Sequence, residues 1–136
     1  MDLVAYVLFQ IIGAIFGCLA ANIIFGLPVI TISTHVRHDL SQFLSEILAT
    51  FGLVLVIFLA REVARQNIPI LVGSYIASAY WFSSSTSFAN PAVTIARQFS
   101  DTFTGISPSG IPSFVLAQIF GAILGYIVVQ WLSRDM

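Results

Sequence analysis

The chain contains no lysine and one cysteine, and only 8% of its 136 residues carry a formal charge, against roughly 25% in ordinary soluble domains. Each scarcity excludes something. With basic residues only at Arg37, Arg61, Arg65, Arg97 and Arg134, there is no basic patch to hold nucleic acid or anionic lipid headgroups. A lone Cys18 forms no intrachain disulfide, and inside an apolar run it reads as a small packing residue. The opening MDLVAYVLFQ has neither the positive region nor the small-residue cleavage site of a signal peptide, so the first apolar run is expected to stay in the membrane. The hydroxyl run Ser83, Ser84, Ser85, Thr86, Ser87 has no neighbouring His or acid to activate a nucleophile, which argues against an enzyme. His35 and His38 lie three apart beside Asp39 with no thiol or further His nearby, and they read as a solvated loop, not a metal site.

What the chain does have is apolar length. Hydrophobic residues make up 58% of it and the mean hydropathy is +0.98. Four runs read as apolar enough and long enough to cross a hydrocarbon core that needs ~20 residues of helix: Leu3 to Leu27, Phe43 to Ala60, Ile68 to about Phe82, and Phe114 to Leu132. The polar stretches THVRHDLSQ and REVARQN separate the first three. Alternating the loops across the bilayer puts Arg61, Arg65 and Arg134 on one side and Arg37 and Arg97 on the other, which favours a cytoplasmic C-terminus.

Residues 87 to 97, SFANPAVTIAR, do not fit four plain crossings. Asn90 is a favoured N-cap, and Pro91 suits a first helical position, where a missing N–H costs nothing. A helix from Asn90 to about Phe103 would run roughly 14 residues, about 20 Å, too short for a core of about 30 Å. The pattern therefore predicts a re-entrant segment, with the hydroxyl-rich stretch descending as irregular backbone and a half-length helix returning to the same side. Irregular backbone at that depth is tolerated only where protein buries it or where it lines a water-filled cavity.

An internal repeat accompanies it. Gln10-Ile11-Ile12-Gly13-Ala14-Ile15-Phe16-Gly17 and Gln118-Ile119-Phe120-Gly121-Ala122-Ile123-Leu124-Gly125 agree at Gln, Ile, Gly, Ala, Ile and Gly. The two glycine pairs, Gly13 with Gly17 and Gly121 with Gly125, have the spacing that lets membrane helices approach closely.

Taken together, these motifs resemble the aquaporin and glycerol-facilitator family, the major intrinsic proteins, over essentially the whole chain. The resemblance implies an all-α membrane protein, a partial aquaporin-like fold with four transmembrane helices and one re-entrant half helix. Residues 1–28 would hold the last helix of a first repeat and 40–136 a complete second repeat, without the family's first two helices and first Asn-Pro-Ala loop. Asn90, Pro91 and Ala92 then form the pore signature. Glu46 would accept hydrogen bonds from the re-entrant loop, and Ser78, Ser87 and Val93 would form the selectivity filter. Val93 stands where most members have Arg, and the spelling around the signature looks like a bacterial branch often associated with arsenic-detoxification genes. Arg97 is either a displaced Arg at the pore mouth or an interfacial Arg paired with Asp101 at i+4. The implied function is a passive channel, or half of one, for water, glycerol or metalloid hydroxides, with no cofactor and no metal, in a bacterial inner membrane. The implied partners are the lipid bilayer and either further copies of the chain or a separate chain supplying the missing half, not nucleic acid. The alternative is a non-conducting fragment that packs against other membrane proteins.

Overall fold

The computed structural model describes residues 2–134; Met1, Asp135 and Met136 lie outside the described residues. Among the described residues there are five α-helices and no strand: α1 (Leu3–Ile24), α2 (Leu40–Val63), α3 (Ile68–Phe82), α4 (Pro91–Ala96) and α5 (Ile111–Leu132). Three stretches are long and apolar enough to cross a membrane: α1, α2 and Pro108–Leu132, which is α5 with the 3-10 turn leading into it. The fourth expected span, α3, is 15 residues long, about 22 Å at 1.5 Å per residue. It opens behind Asn67 with a proline in its first turn and ends where Ser83 turns extended.

The chain forms two compact units, Met1–His38 with Asn90–Val115 and Asp39–Ala89 with Leu116–Met136. In the second unit α2 is the centre. Its buried residues Glu46, Ala49, Thr50 and Ala60 fall on one face. In α5 the buried set Ala117, Gln118, Gly121, Gly125 and Val129 follows the same helical spacing. Gly121 sits so close to α2 that a Cβ there would strike the Ile47 carbonyl oxygen and lie 3.0 Å from Thr50 Cβ; at Gly125 it would lie 2.9 Å from Val54 Cβ and 3.0 Å from the Phe51 oxygen. α3 joins from the other side, where the Tyr75 hydroxyl donates to the Ala49 carbonyl at 2.8 Å. Large apolar side chains point outward, as at Phe9, Leu48 and Trp81, the last 84% exposed. That surface suits hydrocarbon and not water.

In the first unit α1 packs along α4, and the buried residues of α1 are Cys18 and Asn22. The segment after α1 runs beside the one after α4, with Thr31 N–H donating to Phe99 O at 3.2 Å, Ser33 N–H to Gln98 O at 2.8 Å and Ser107 N–H to His35 O at 2.7 Å. This pairing corrects the expected half helix to Phe103: α4 ends at Ala96, three residues of 3-10 helix follow, and Ser100 is extended. The carbonyls of Arg97, Gln98 and Phe99 are taken by Ile106 N–H, Ser33 N–H and Thr31 N–H, and Asn22 Nδ2 adds a second bond to Phe99 O at 3.0 Å. Donors from distant sequence thus replace the i+4 amides that would have extended the helix. Arg37, read from sequence as a loop charge, is buried, and its Nε and Nη2 donate to Gly105 O at 2.7 Å and Phe103 O at 2.6 Å.

The two copies of the glycine motif behave differently. A Cβ at Gly13 or Gly17 would meet nothing within 4 Å, whereas Gly121 and Gly125 are crowded by α2. Gly121→Ala should therefore destabilise the chain by about 1–3 kcal/mol, the usual cost of overpacking, while Gly13→Ala is tolerated. Thermal unfolding of the two variants in detergent checks this, and equal losses would contradict the assigned packing.

Candidate functional site

In the second unit the polar centre is built on Glu46, which is fully buried. Its Oε1 accepts from the Ala89 backbone N–H at 2.5 Å and from Gln118 Nε2 at 2.8 Å. Glu46 sits on α2 and Gln118 on the facing helix α5, so both packed helices hold the end of residues 83–89. That stretch is irregular, and three non-glycine residues in it are left-handed: Thr86 (φ 62°), Ser87 (φ 50°) and Ala89 (φ 47°). Such conformations cost of order 1–3 kcal/mol each and persist only where the surroundings impose them. Ser83, Ser85, Thr86, Ser87, Phe88 and Ala89 are all buried. The hydroxyls of Ser83, Thr86 and Ser87 have no hydrogen-bond partner among the described residues, an arrangement that suits water or a hydroxylated solute. Ser78 differs: it is exposed, and its hydroxyl turns back to the Ser74 carbonyl at 2.8 Å.

In the first unit Asn90 caps α4 as its sequence suggests. Its Oδ1 accepts from Ala92 N–H at 2.8 Å and Val93 N–H at 3.4 Å, and its own carbonyl receives the first helical bond from Thr94 N–H at 3.0 Å. The cap uses the amide oxygen and leaves Nδ2 without a bond among the described residues, so the same side chain retains a donor. Val93 and Arg97 lie one turn apart on one face of this segment and border a cavity of about 200 Å³ together with Gly17, Cys18 and Ala21 of α1. Arg97 Nη1 donates to Thr104 Oγ1 at 2.8 Å.

Of the two readings of Arg97, the pairing with Asp101 is not formed. Asp101 Oδ1 accepts from Thr34 N–H at 2.8 Å and Thr34 Oγ1 at 3.1 Å, with Ser33 Oγ at 3.5 Å. Sequence reasoning missed three residues here. Asn22, Arg37 and Asp101 anchor the segments flanking α4, and the signal available was only that Asn22 is a lone amide in an apolar helix.

No family model and no solved structure matches the chain. Aquaglyceroporin AqpS of Rhizobium meliloti (strain 1021) is 47% identical over 133 residues, which cover 98% of this chain and 57% of the relative. The chain belongs to the major intrinsic protein family. As a major intrinsic protein it is a multi-pass membrane protein, and it spans little more than half the length of the curated relative it matches.

The Thr34–Asp101 contact in this chain also titrates. The Thr34 N–H, above all, holds the Asp101 carboxyl below the usual Asp value; the Thr34 and Ser33 hydroxyls and His35 act in the same direction, and desolvation opposes them. A lowered folded-state pKa means that the contribution to stability is fully present above the ordinary value of about 3.9 and is lost as pH falls through the lowered one. The Thr34 amide resonance should therefore move only below about pH 4, and Asp101→Asn should abolish that movement. A titration that leaves the Thr34 amide unmoved would contradict the contact.

Proposed function

We propose that this chain is half of a passive channel for small neutral solutes. The observation that carries the reading is the buried, irregular stretch 83–89, with three left-handed residues ending at the Asn90 cap. An apolar chain has no packing reason to bury unpaired hydroxyls and strained backbone, but a conduction path does, because it must replace the hydration a solute loses. In the second unit the free hydroxyls of Ser87 and Thr86 supply donors and acceptors for that exchange, and in the first unit Asn90 Nδ2 is a further donor. The peptide dipoles of α4 put partial positive charge at its start and disfavour cations.

By resemblance to the family, the residues read as the filter are Ser78, Ser87 and Val93, those read as the pore signature are Asn90, Pro91 and Ala92, and Glu46 is read as the support of the loop. A filter of small uncharged side chains is wider and less cationic than one containing Arg. It suits glycerol-sized or metalloid solutes, and the relative's name, aquaglyceroporin, agrees with that class. In this reading residues 1–28 end a first repeat and 40–136 make a second, with no cofactor involved. These residues offer one half helix, so a pore with two needs the part of the fold that they do not span.

A second reading, a non-conducting packing partner, draws on two observations. The chain spans 57% of AqpS, and a Cβ at Gly13 or Gly17 of α1 would meet nothing within 4 Å among the described residues. Liposome flux separates the two. The chain alone should give little or no flux, and the chain joined to the segment of AqpS that it does not span should pass glycerol. In that joined protein Val93→Arg should reduce glycerol flux much more than water flux, since the side chain adds both volume and charge in a low-dielectric constriction; Val93→Ala should leave glycerol flux intact. An unchanged ratio in a folded, inserted Val93→Arg protein removes Val93 from the filter. A folded joined protein that is impermeable supports the packing-partner reading.

A further inference from the structure

One apolar run belongs to no helix. Val29-Ile30-Thr31-Ile32 follows α1 after a short turn and begins a strap, residues 29–36, whose place is fixed by hydrogen bonds. Gly26 is left-handed (φ 69°), its N–H donates to Ile23 O at 3.0 Å, and the Leu27 N–H donates to Asn22 O at 2.8 Å. The chain therefore leaves the helix axis there instead of continuing along it. Asn22 Nδ2 then donates to Val29 O at 3.0 Å, which holds the start of the strap at the depth of the last turn of α1. That helix has 22 residues, about 33 Å at 1.5 Å per residue, enough to fill a hydrocarbon core of about 30 Å. The strap thus begins where the core meets the headgroups.

Its two faces are the reverse of what water selects. Thr31 and Ser33, two apart, both give their N–H to the segment after α4, and Ser33 and Arg37 are buried. Ile30, Ile32 and Val36 are 58%, 51% and 57% exposed. Polar side chains turn into the protein and apolar ones out, the opposite of a half-solvated extended segment. What covers the outward row follows from its continuity with α1, whose last residues Ile23 and Ile24, with Phe25, are exposed at the same depth and face lipid. Thr34 interrupts the row and limits how deep it goes. It holds Asp101, an exposed carboxylate, which is costly in hydrocarbon but not among headgroups and their water.

We infer that the strap is an interfacial anchor, with Ile30, Ile32 and Val36 inserted at the boundary between acyl chains and headgroups. At that level apolar side chains leave water while headgroups and water still reach the backbone. The anchor also bears on the half helix, because Thr31 and Ser33 hold the Phe99 and Gln98 carbonyls that follow it. The inference rests on the membrane location of the chain and not on its being a channel.

Nitroxide labels on single cysteines test it. Ile32→Cys and His35→Cys, each in a Cys18→Ser chain, put one label on the outward row and one on a nearby residue outside it. Both replaced side chains are exposed, so neither label disturbs packing. In liposomes the label at 32 should collide more with oxygen, which concentrates in lipid, than with a neutral nickel chelate, which stays in water. The label at 35 should show the reverse, so that the oxygen-to-nickel ratio falls several-fold between the two. A label at 32 that favours nickel would put the row in water and overturn the inference. An immobile label at 32 that neither reagent reaches would mean that protein covers the row, and overturns it as well. An equal preference for oxygen at 32 and 35 would remove the sidedness on which the anchor depends. In the joined protein the oxygen preference at 32 should persist, and its loss there would assign the row to the part of the fold that this chain does not span.

Discussion

The backbone N–H of Ala89 must have an acceptor, and in this chain the acceptor is the Glu46 carboxyl oxygen at 2.5 Å. In a membrane an unsatisfied backbone donor costs several kcal/mol, so irregular backbone persists only where side chains take over the work of a helix. Ala89 is left-handed and directly precedes Asn90. Gln118 donates to the same carboxyl oxygen at 2.8 Å, and it is oriented by a helix that Gly121 and Gly125 bring onto α2. The glycines, the amide and the carboxylate act together as one packing unit with a polar end.

The first unit solves the same problem at the other end of the half helix. A helix that stops after so few residues leaves carbonyls that must be satisfied. Thr31, Ser33 and Ile106 donate to them from the backbone, and Asn22 reaches Phe99 O from α1. Arg37 does the corresponding service for the carbonyls of Phe103 and Gly105. A buried guanidinium bonded to carbonyl oxygens retains its hydrogen bonds after leaving water, which is what makes its burial affordable. The start of the short helix is fixed by its own Asn90 cap, and its far end by groups from elsewhere in the sequence. Function in this reading comes from what those side chains leave over: an amide donor on Asn90 and free hydroxyls on Thr86 and Ser87.

Much of this was legible in the sequence because it depends on local rules. The Asn-Pro start of α4 is a capping signal, and the cap forms as the residues require. The apolar runs gave the helices to within a few residues, since length and hydropathy are properties of the segment itself. The repeat told that α1 and α5 are copies. It did not tell that their glycines would differ in packing, because whether Gly13 or Gly121 meets a neighbour depends on a second helix. Helix length failed at α4 for a similar reason: nothing within 90–103 announces that Ser33 and Asn22 will claim its last carbonyls. Arg37 looked like a loop charge and is buried, since a polar loop and a polar clasp have the same composition, and Asp101, expected as an i+4 partner of Arg97, binds Thr34 instead.

The account depends most directly on the Ala89 to Glu46 bond, and amide hydrogen exchange at Ala89 in the bilayer reads it without relying on flux. Removing the acceptor leaves a buried donor unsatisfied at ~1–3 kcal/mol, so Glu46→Ala should speed exchange at Ala89 roughly 5- to 150-fold. Glu46→Gln, which retains an oxygen acceptor, should preserve most of the protection. If Ala89 stays equally protected in a folded and inserted Glu46→Ala protein, Glu46 does not hold the re-entrant stretch, and the structural basis argued for the site fails.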